Sequence, residues 1–257
     1  MKNFFYLFIA LVFLSSCGVK YETIPYFTDL PVGNLAEDIN NQTVLKIQKN
    51  DILAITVSSL DEKSDAYFNL GNMGAIQTTS GGSGLSTPNG FIVDQQGNVQ
   101  LPYLGSVNVE GLSTYDARKI IERKLEQGKF LIKPVLNLRL VNFKISILGD
   151  VLRPGVYPVQ SERITIIEAL GMAGDLNITA KRGDVLLIRE NLGKRQQVRL
   201  DLQSKDLFNS PYYYLENNDV LVVTPSSAKY ASVDSSYRNV SLIISALSVI
   251  ALLITRF

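Results

Sequence analysis

The stretch that most constrains the fold is Gly90–Leu112, which reads GFIVDQQGNVQLPYLGSVNVEGL. Its apolar pattern predicts three short strands, at Phe91–Val93, Val99–Leu101 and Val107–Val109. Asp94–Gly97 suits a turn between the first two strands, because Asp and Gly tolerate the left-handed backbone of a tight reversal. Pro102 ends the second strand, since proline has no N–H group to donate to a neighbour. The stretch therefore predicts a small, half-buried sheet that begins with a β-hairpin.

The composition of the 257-residue chain excludes several classes of function. Its 25 basic residues are balanced by 24 acidic ones, so we expect no nucleic-acid partner. It has no histidine and one cysteine, which excludes a His/Cys metal site and a Ser-His-Asp or Cys-His relay within one chain. A carboxylate enzyme stays open, with Glu162, Glu168 and Asp175 as its candidate acids, although Glu168 is better placed as a helix cap. We predict no enzyme activity and no cofactor.

The N-terminus has the layout of a secretory signal. A single lysine precedes the apolar run Phe4–Phe13, which is too short to span a bilayer. Leu14-Ser15-Ser16-Cys17 then resembles the lipobox of bacterial lipoproteins, in which the signal is cut before an acylated cysteine. The resemblance implies that residues 1–16 are the signal peptide and that Cys17 is the lipid attachment site. An ordinary signal peptide with an incidental thiol and a retained anchor helix are the alternatives.

The C-terminus carries a second apolar run, Val240–Ile254, which is fifteen residues long and uncharged. This is shorter than the ~20 residues that usually cross a bilayer as a helix. Its hydroxyl residues recur at helical spacing, so a helix would carry them on one stripe. We predict a membrane helix over 228–257 that belongs to a ring, with Ser241, Ser245 and Ser248 facing a pore. A plain membrane tail, an interfacial helix and a buried core helix stay open.

A tether and a first α+β unit are predicted after the signal. Residues 17–42 are irregular and predict a tether between the lipid and this unit. The unit combines the opening sheet with two strands in Thr43–Val57, a capped helix over Ser113–Gln127 and a strand over Val135–Val141. The glycine-rich Leu60–Gly90 predicts a mobile loop. A phosphate cradle there is disfavoured, because no lysine or helix start follows the glycines.

The second half of the chain predicts another compact α+β unit. Phe143–Leu148 alternates as a strand, and Arg153-Pro154-Gly155 fits a type II turn. Thr165 and Glu168 form a capping box before a helix that ends at Gly174. Further strands are predicted at Val185–Ile188, Val198–Leu202 and Val220–Val223. The tyrosine run Tyr212–Tyr214 is either a sugar-stacking platform or half-buried packing before the last strand.

Several phrases of the sequence resemble the bacterial polysaccharide export proteins. V-D-x-x-G-x-V-x-L-P-x-L-G, at Val93–Gly105, resembles their N-terminal domain. G-x-V-x-x-P-G-x-Y at Gly149–Tyr157 and E-A-x-x-x-A-G at Glu168–Gly174 resemble the β-grasp module of the family, the SLBB domain. The resemblance implies an α+β fold in three parts: an export domain over 43–141, an SLBB-like β-grasp domain over 142–227 and a single C-terminal membrane helix.

The same resemblance implies a function. It predicts a channel subunit that exports capsular or extracellular polysaccharide, lipid-anchored in the outer membrane with its bulk in the periplasm. The implied partners are further copies in a homo-oligomeric ring, an inner-membrane polysaccharide co-polymerase, the polysaccharide itself, and membrane lipid through Cys17 and the C-terminal helix. The alternative is a lipid-anchored periplasmic module that binds a glycan or another ligand without forming a pore. That alternative leaves the serine stripe unexplained.

Overall fold

The computed structural model describes residues 25–34, 36, 38–39, 44–60, 62–69, 90–191, 193–233, 244–245 and 248. It is a mixed α and β structure with two hydrophobic cores, one in each half of the chain. A short 3₁₀-helix covers Lys205–Asn209. The other elements, in chain order, are β1 (Ile52–Ser58), α1 (Glu62–Asn69), β2 (Phe91–Ile92), β3 (Asn98–Leu101), β4 (Gly105–Asn108), α2 (Thr114–Gln127), β5 (Val135–Leu140), β6 (Lys144–Gly149), β7 (Gly155–Pro158), α3 (Ile166–Met172), β8 (Ala180–Asn191), β9 (Lys194–Leu200), β10 (Val220–Pro225) and α4 (Ser227–Val233).

The first unit packs α2 against a three-stranded antiparallel sheet with the order β2-β1-β5. The predicted helix is confirmed together with its cap, because the Ser113 hydroxyl accepts the Asp116 N–H at 3.0 Å. Its apolar stripe is buried at Ala117, Ile121 and Leu125. The predicted alternation of buried and exposed residues is also confirmed along β5, where every second residue from Leu136 faces the core.

The predicted hairpin at the start of Gly90–Leu112 is confirmed only at its turn, and its strands have other main partners. β2 pairs with β1, with Phe91 opposite Leu53, and only an isolated bridge joins Val93 to Val99. The hairpin of this stretch is instead β3 with β4, which turns through residues 102–104. The Asp94–Gly97 turn does form, and Gly97 lies in the left-handed region with φ +80°. Across the turn, the strands on its two sides are joined only by the Val93–Val99 bridge and by the Asp94 N–H, which donates to the Asn98 carbonyl at 2.8 Å.

The predicted loop over Leu60–Gly90 contains a helix, α1, so that prediction is wrong for residues 62–69. The helix is attached to β1 by its last residue. Asn69 accepts the Val57 N–H at 2.9 Å and donates to the Val57 carbonyl at 2.8 Å. Phe68 beside it is buried in the first core. One amide and one aromatic side chain thus hold a helix that has little apolar periodicity of its own.

The second unit is a five-stranded sheet with the order β7-β6-β10-β8-β9. β6 and β10 are parallel, and the other neighbours are antiparallel. α3 begins with a complete capping box, in which Thr165 and Glu168 each bond the other's backbone N–H. This confirms the predicted helix start. Isoleucines and leucines of the inner sheet face form the core with α3.

The predicted type II turn at Arg153–Gly155 is wrong. That turn needs a left-handed residue at Gly155, whose φ is not in the positive range, and Gly155 instead begins β7. The left-handed residue at this point of the chain is Gly149, with φ +92°. Because the backbone reverses at the end of β6, the proline and glycine that follow lead directly into the next strand.

Buried polar contacts join the two units. The Asn217 amide donates to the Asp51 carboxylate at 2.8 Å and accepts the Lys144 N–H at 3.1 Å. Asn142 accepts the Ile52 N–H at 2.9 Å. Asp51 and Asn217 are both buried, and desolvation raises the pKa of Asp51 against the opposing effect of its hydrogen bonds. These bonds connect the first strand of each unit to the loop that precedes β10.

Candidate functional site

Two of the four residues proposed from sequence for lipid attachment and the pore lie outside the described residues. This applies to Cys17 and Ser241, while Ser245 and Ser248 are helical and exposed. The Ser248 hydroxyl donates to the Ile244 carbonyl at 2.8 Å, within the same turn of helix. Within the part of the chain that the structure describes, no helix has the length and hydropathy needed to cross a bilayer. The pore-facing role of these serines stays a prediction.

The N-terminal segment contacts the second unit. Phe27 and Thr28 donate their backbone N–H groups to the carbonyls of Leu202 and Gln203, at 3.2 and 2.7 Å. The Phe27 ring also stacks on Phe208, with centroids 4.4 Å apart. Part of the predicted tether is therefore held against the second unit, although in the sequence the tether directly precedes the first unit.

Tyr26 completes this attachment through its hydroxyl, which donates to the Asp175 carboxylate. The Arg182 guanidinium lies 5.5 Å from the centre of the same ring, in cation–π geometry. Burial, followed by the neighbouring Asp175 carboxylate, raises the pKa of Tyr26 well above its ordinary value. The phenol therefore stays protonated and remains a donor at any physiological pH.

Helix α4 is attached to the second unit through Asp150. This carboxylate is only 1% exposed and accepts hydrogen bonds from Asn177 at 2.8 Å, from Thr179 at 2.6 Å and from the Lys229 ammonium of α4. Burial alone would raise its pKa, but these donors outweigh burial and hold the pKa of Asp150 below its ordinary value. Asp150 therefore serves as an ionised anchor for the start of the C-terminal segment.

The two attachments meet at one end of the second unit. A bridge joins Val151 to Leu176, and the Leu152 N–H donates to the Asp175 carbonyl at 3.0 Å, so the loops that carry Asp150 and Asp175 lie side by side. We call this end, built from residues 150–152 and 175–179, the terminal junction. The segments that precede residue 26 and follow residue 229 both leave from it.

We expect Lys229→Met to release α4 from the terminal junction. The buried Asp150 carboxylate would lose its charged donor, which costs about 1.5–3 kcal/mol for a hydrogen bond of this type. Hydrogen exchange of the amides in 227–233 should then accelerate. In the unsubstituted protein, α4 should stay docked at neutral pH and down to about 3.8, the ordinary pKa of an aspartate, and loosen only below it as Asp150 is protonated.

The matched control is Lys181→Met, which removes an exposed lysine from the start of strand β8, two positions after Thr179. Its exchange rates over 227–233 should equal those of the unsubstituted protein. Equal rates in the Lys229→Met protein would contradict the anchoring role of Asp150.

An aromatic cavity of about 380 Å³ lies elsewhere on the second unit, where the N-terminal segment covers it. Phe208, Tyr213 and Tyr214 line it, with Leu30 and Ile39 of the N-terminal segment opposite. Tyr213 makes edge-to-face contacts with both other rings, and Tyr214 is buried. The tyrosine run is therefore largely packing, and part of its surface also lines a cavity of ligand-binding size.

The three candidate acids are engaged in separate structural contacts. Glu168 caps α3, and its carboxylate accepts the Thr165 N–H at 2.7 Å. Glu162 accepts the Thr114 hydroxyl of the first unit at 3.1 Å. Asp175 accepts the Tyr26 hydroxyl. Each acid thus has its own partner in a different part of the structure.

The sequence did not predict that Asp150 and Lys229 anchor α4 to the second unit. The available signal was a pair of acids that each follow a glycine: Asp150 lies within the first SLBB phrase, and Asp175 directly follows the second. Left-handed backbone at both glycines places these acids on adjacent loops. Nothing local in the sequence connects either acid to Lys229, which lies 79 positions beyond Asp150.

Two family models match the chain, and together they define its class. Residues 40–141 match the family described as polysaccharide biosynthesis/export protein, and residues 143–223 match the SLBB domain. These ranges hold the two units described above. The chain belongs to the polysaccharide export family with an SLBB domain, and the resemblance predicted from its phrases is confirmed.

Particular relatives agree with this class. The EPS I polysaccharide export outer membrane protein EpsA of Ralstonia solanacearum is 29% identical over 163 residues, which cover 61% of this chain and 41% of the relative. The protein of the same name from Ralstonia nicotianae is 27% identical over 160 residues, or 60% of this chain and 40% of the relative. The matched region thus spans about two fifths of the length of these relatives.

Proposed function

We propose that this chain is a lipid-anchored subunit of an outer-membrane channel that exports capsular or extracellular polysaccharide without chemical change. Membership of the export family and the outer-membrane naming of its relatives support this role. The observation that carries the proposal is the terminal junction, because Tyr26, which follows the predicted lipid site, and Lys229, which precedes the apolar C-terminal run, both bond to that one end of the second unit. A protein held at both termini from one end presents that end to the membrane.

The lengths of chain between the terminal junction and the two predicted anchors fit this orientation. Cys17 lies nine residues before Tyr26, so an extended chain allows the lipid to be at most about 30 Å from the terminal junction. The apolar run starting at Val240 begins seven residues after the end of α4. In the proposed arrangement the SLBB unit lies beneath the membrane, and the first unit lies deeper in the periplasm.

Transport in the proposed ring depends on the side chains that face the pore, and none of them catalyses a reaction. The C-terminal helices of several copies would enclose a hydrated pore, with Ser241, Ser245 and Ser248 facing the lumen. A serine hydroxyl that donates within its own helix, as Ser248 does to Ile244, still has lone pairs that accept from water or sugar. Such weak, replaceable contacts suit conduction of a long polar chain, which an inner-membrane co-polymerase would drive.

Native mass spectrometry of the detergent-extracted protein tests this proposal. We expect the full-length chain to give a ring with one fixed subunit number, and a chain that ends at Ser236 to give mostly monomer. Polysaccharide secretion by cells that carry only the shortened chain should fall to the level of cells that lack the protein. A monomer for both chains in several mild detergents would contradict the channel.

The aromatic cavity favours a second candidate function, a lipid-anchored glycan-binding module. Besides its three aromatic rings, the cavity is lined by two basic and two acidic residues, which can hydrogen-bond the hydroxyl groups of a sugar: Arg163, Lys205, Asp38 and Glu168. This candidate becomes the better account if both chains are monomeric and the protein binds oligosaccharides released from the cell's own polysaccharide. A ring that binds none of them leaves the channel as the function.

A further inference from the structure

We propose that the terminal junction carries an apolar patch that inserts into the headgroup region of the lipid bilayer. The proposal rests on the membrane location given above, and it adds a contact made by the folded SLBB unit itself. The patch consists of Leu152, Ile178 and Tyr230, whose exposed fractions are 63%, 69% and 64%. Single exposed apolar residues are ordinary, but a group of large ones on one surface is typical of an interaction site.

The hydrogen bonds of Asp150 bring these three residues to one place. Leu152 lies two positions after Asp150, and Ile178 lies between Asn177 and Thr179, which both donate to that carboxylate. Tyr230 follows Lys229, which donates to it from α4. The three residues of the patch thus each lie within two positions of Asp150 or of one of its donors, and they come from three separated parts of the chain.

The attachment is stiff enough to present the patch in a fixed direction. Ser226 donates its N–H to the Thr179 carbonyl at 2.7 Å, which holds the start of α4 against the loop that carries Ile178. The Leu176–Val151 bridge holds that loop against the one that carries Leu152. A patch that is ordered before binding loses little conformational entropy when it contacts another surface.

The chemistry of the surroundings points to lipid as the occupant. Arg153 and Lys181 are exposed beside the patch, and basic groups of this kind attract the phosphates of headgroups. Among the described residues, the acids of the terminal junction are both engaged: Asp150 is paired with Lys229, and Asp175 is bonded to Tyr26. Tyr230 combines an apolar ring with a polar hydroxyl, which is the combination enriched at membrane interfaces.

The course of the chain beyond this end supports the same occupant. The predicted lipid on Cys17 can lie no farther than about 30 Å from Tyr26. The apolar run Val240–Ile254 follows α4 after a short connection. The patch therefore lies where both predicted anchors would bring the SLBB unit against the bilayer surface.

The absence of tryptophan from the sequence gives a direct test. Leu152→Trp, Ile178→Trp and Tyr230→Trp each introduce one fluorophore into the full-length protein. Each variant is reconstituted into vesicles of phosphatidylethanolamine and phosphatidylglycerol, with or without bromine on the acyl chains. We expect about twofold quenching by the brominated lipid for all three positions, because an inserted apolar side chain reaches the boundary between headgroups and acyl chains, where a tryptophan can contact bromine.

Tyr115→Trp is the matched control, since Tyr115 is 58% exposed on α2 of the first unit, in the half assigned to the deep periplasm. Its emission should be the same with both lipids. Equal emission with both lipids at Leu152, Ile178 and Tyr230 as well would overturn the proposal. A tryptophan shielded from iodide yet unaffected by bromine would also overturn it, and would identify a contact between copies instead.

Native mass spectrometry of the same samples separates this proposal from the channel. A ring whose patch is not quenched overturns the lipid contact and leaves the channel standing. A quenched patch on a monomer contradicts the channel and leaves the lipid contact standing. Because all three positions are exposed, a tryptophan at each should leave the fold intact.

Discussion

Replacing Gly149 by alanine is expected to unfold the second unit. Gly149 has φ +92°, a conformation that costs an L-residue about 1–2 kcal/mol. A Cβ atom there would lie 2.1 Å from the Val223 carbonyl oxygen, on the parallel partner strand β10. Because that atom is backbone and cannot rotate away, we expect a total loss of about 3–5 kcal/mol in the free energy of unfolding.

Pulse proteolysis across a urea series measures this loss for cleavage sites within the second unit. Gly171→Ala is the control, because Gly171 lies in α3 and a Cβ there would meet nothing within 4 Å. That substitution should be neutral, or stabilising by up to about 1 kcal/mol. Similar urea midpoints for the two variants would contradict the assigned close contact between β6 and β10.

Removal of the Arg189 side chain is expected to have the second largest effect. Its guanidinium donates to both oxygens of Asp219, at 3.0 and 2.7 Å, to Glu216 at 2.9 Å and to the Tyr214 carbonyl at 3.0 Å. Arg189 and Asp219 are both buried. Burial would lower the pKa of Arg189, but the bonds to Asp219 outweigh it and raise this pKa, so the side chain stays charged.

Arg189→Ala should therefore cost about 3–5 kcal/mol, since it leaves the Asp219 carboxylate buried without its cation. The same urea series measures the cost. Arg195→Ala is the control on the neighbouring strand β9, where an exposed arginine donates to Glu190 at 2.7 Å. An exposed pair of this kind contributes at most about 1 kcal/mol. Equal losses for both arginines would contradict the structural role of the buried network.

Local features of the sequence predicted most of the elements correctly. The helix caps at Ser113 and Thr165 are examples, because a cap depends on side chains three positions apart. Strand alternation at β5 and β6 is another, since the period of two follows from the backbone alone. The α1 helix was missed because its packing comes from Phe68 and Asn69 and not from a periodic pattern.

Strand partners could not be predicted with the same success. β2 could pair with β3 across its own turn or with β1 far back in the chain, and both pairings satisfy the local pattern. In the structure β2 pairs along its length with β1, which lies between β2 and β5 in a three-stranded sheet over one core, and the segment after β2 is joined to the start of β3 by a single bridge. Such a choice depends on the packing of the whole unit.

The sequence by itself determined the family, the two α+β units and the expectation of membrane anchors at both ends. Those conclusions rest on short phrases, apolar runs and caps, in which the interacting residues are close along the chain. Only the tertiary structure decided that Asp150, Asp175, Tyr26 and Lys229 meet at one end. The physical reason is that a buried carboxylate such as Asp150 takes its hydrogen-bond donors from whichever segments the fold brings to it, and its donor Lys229 lies 79 positions away along the chain.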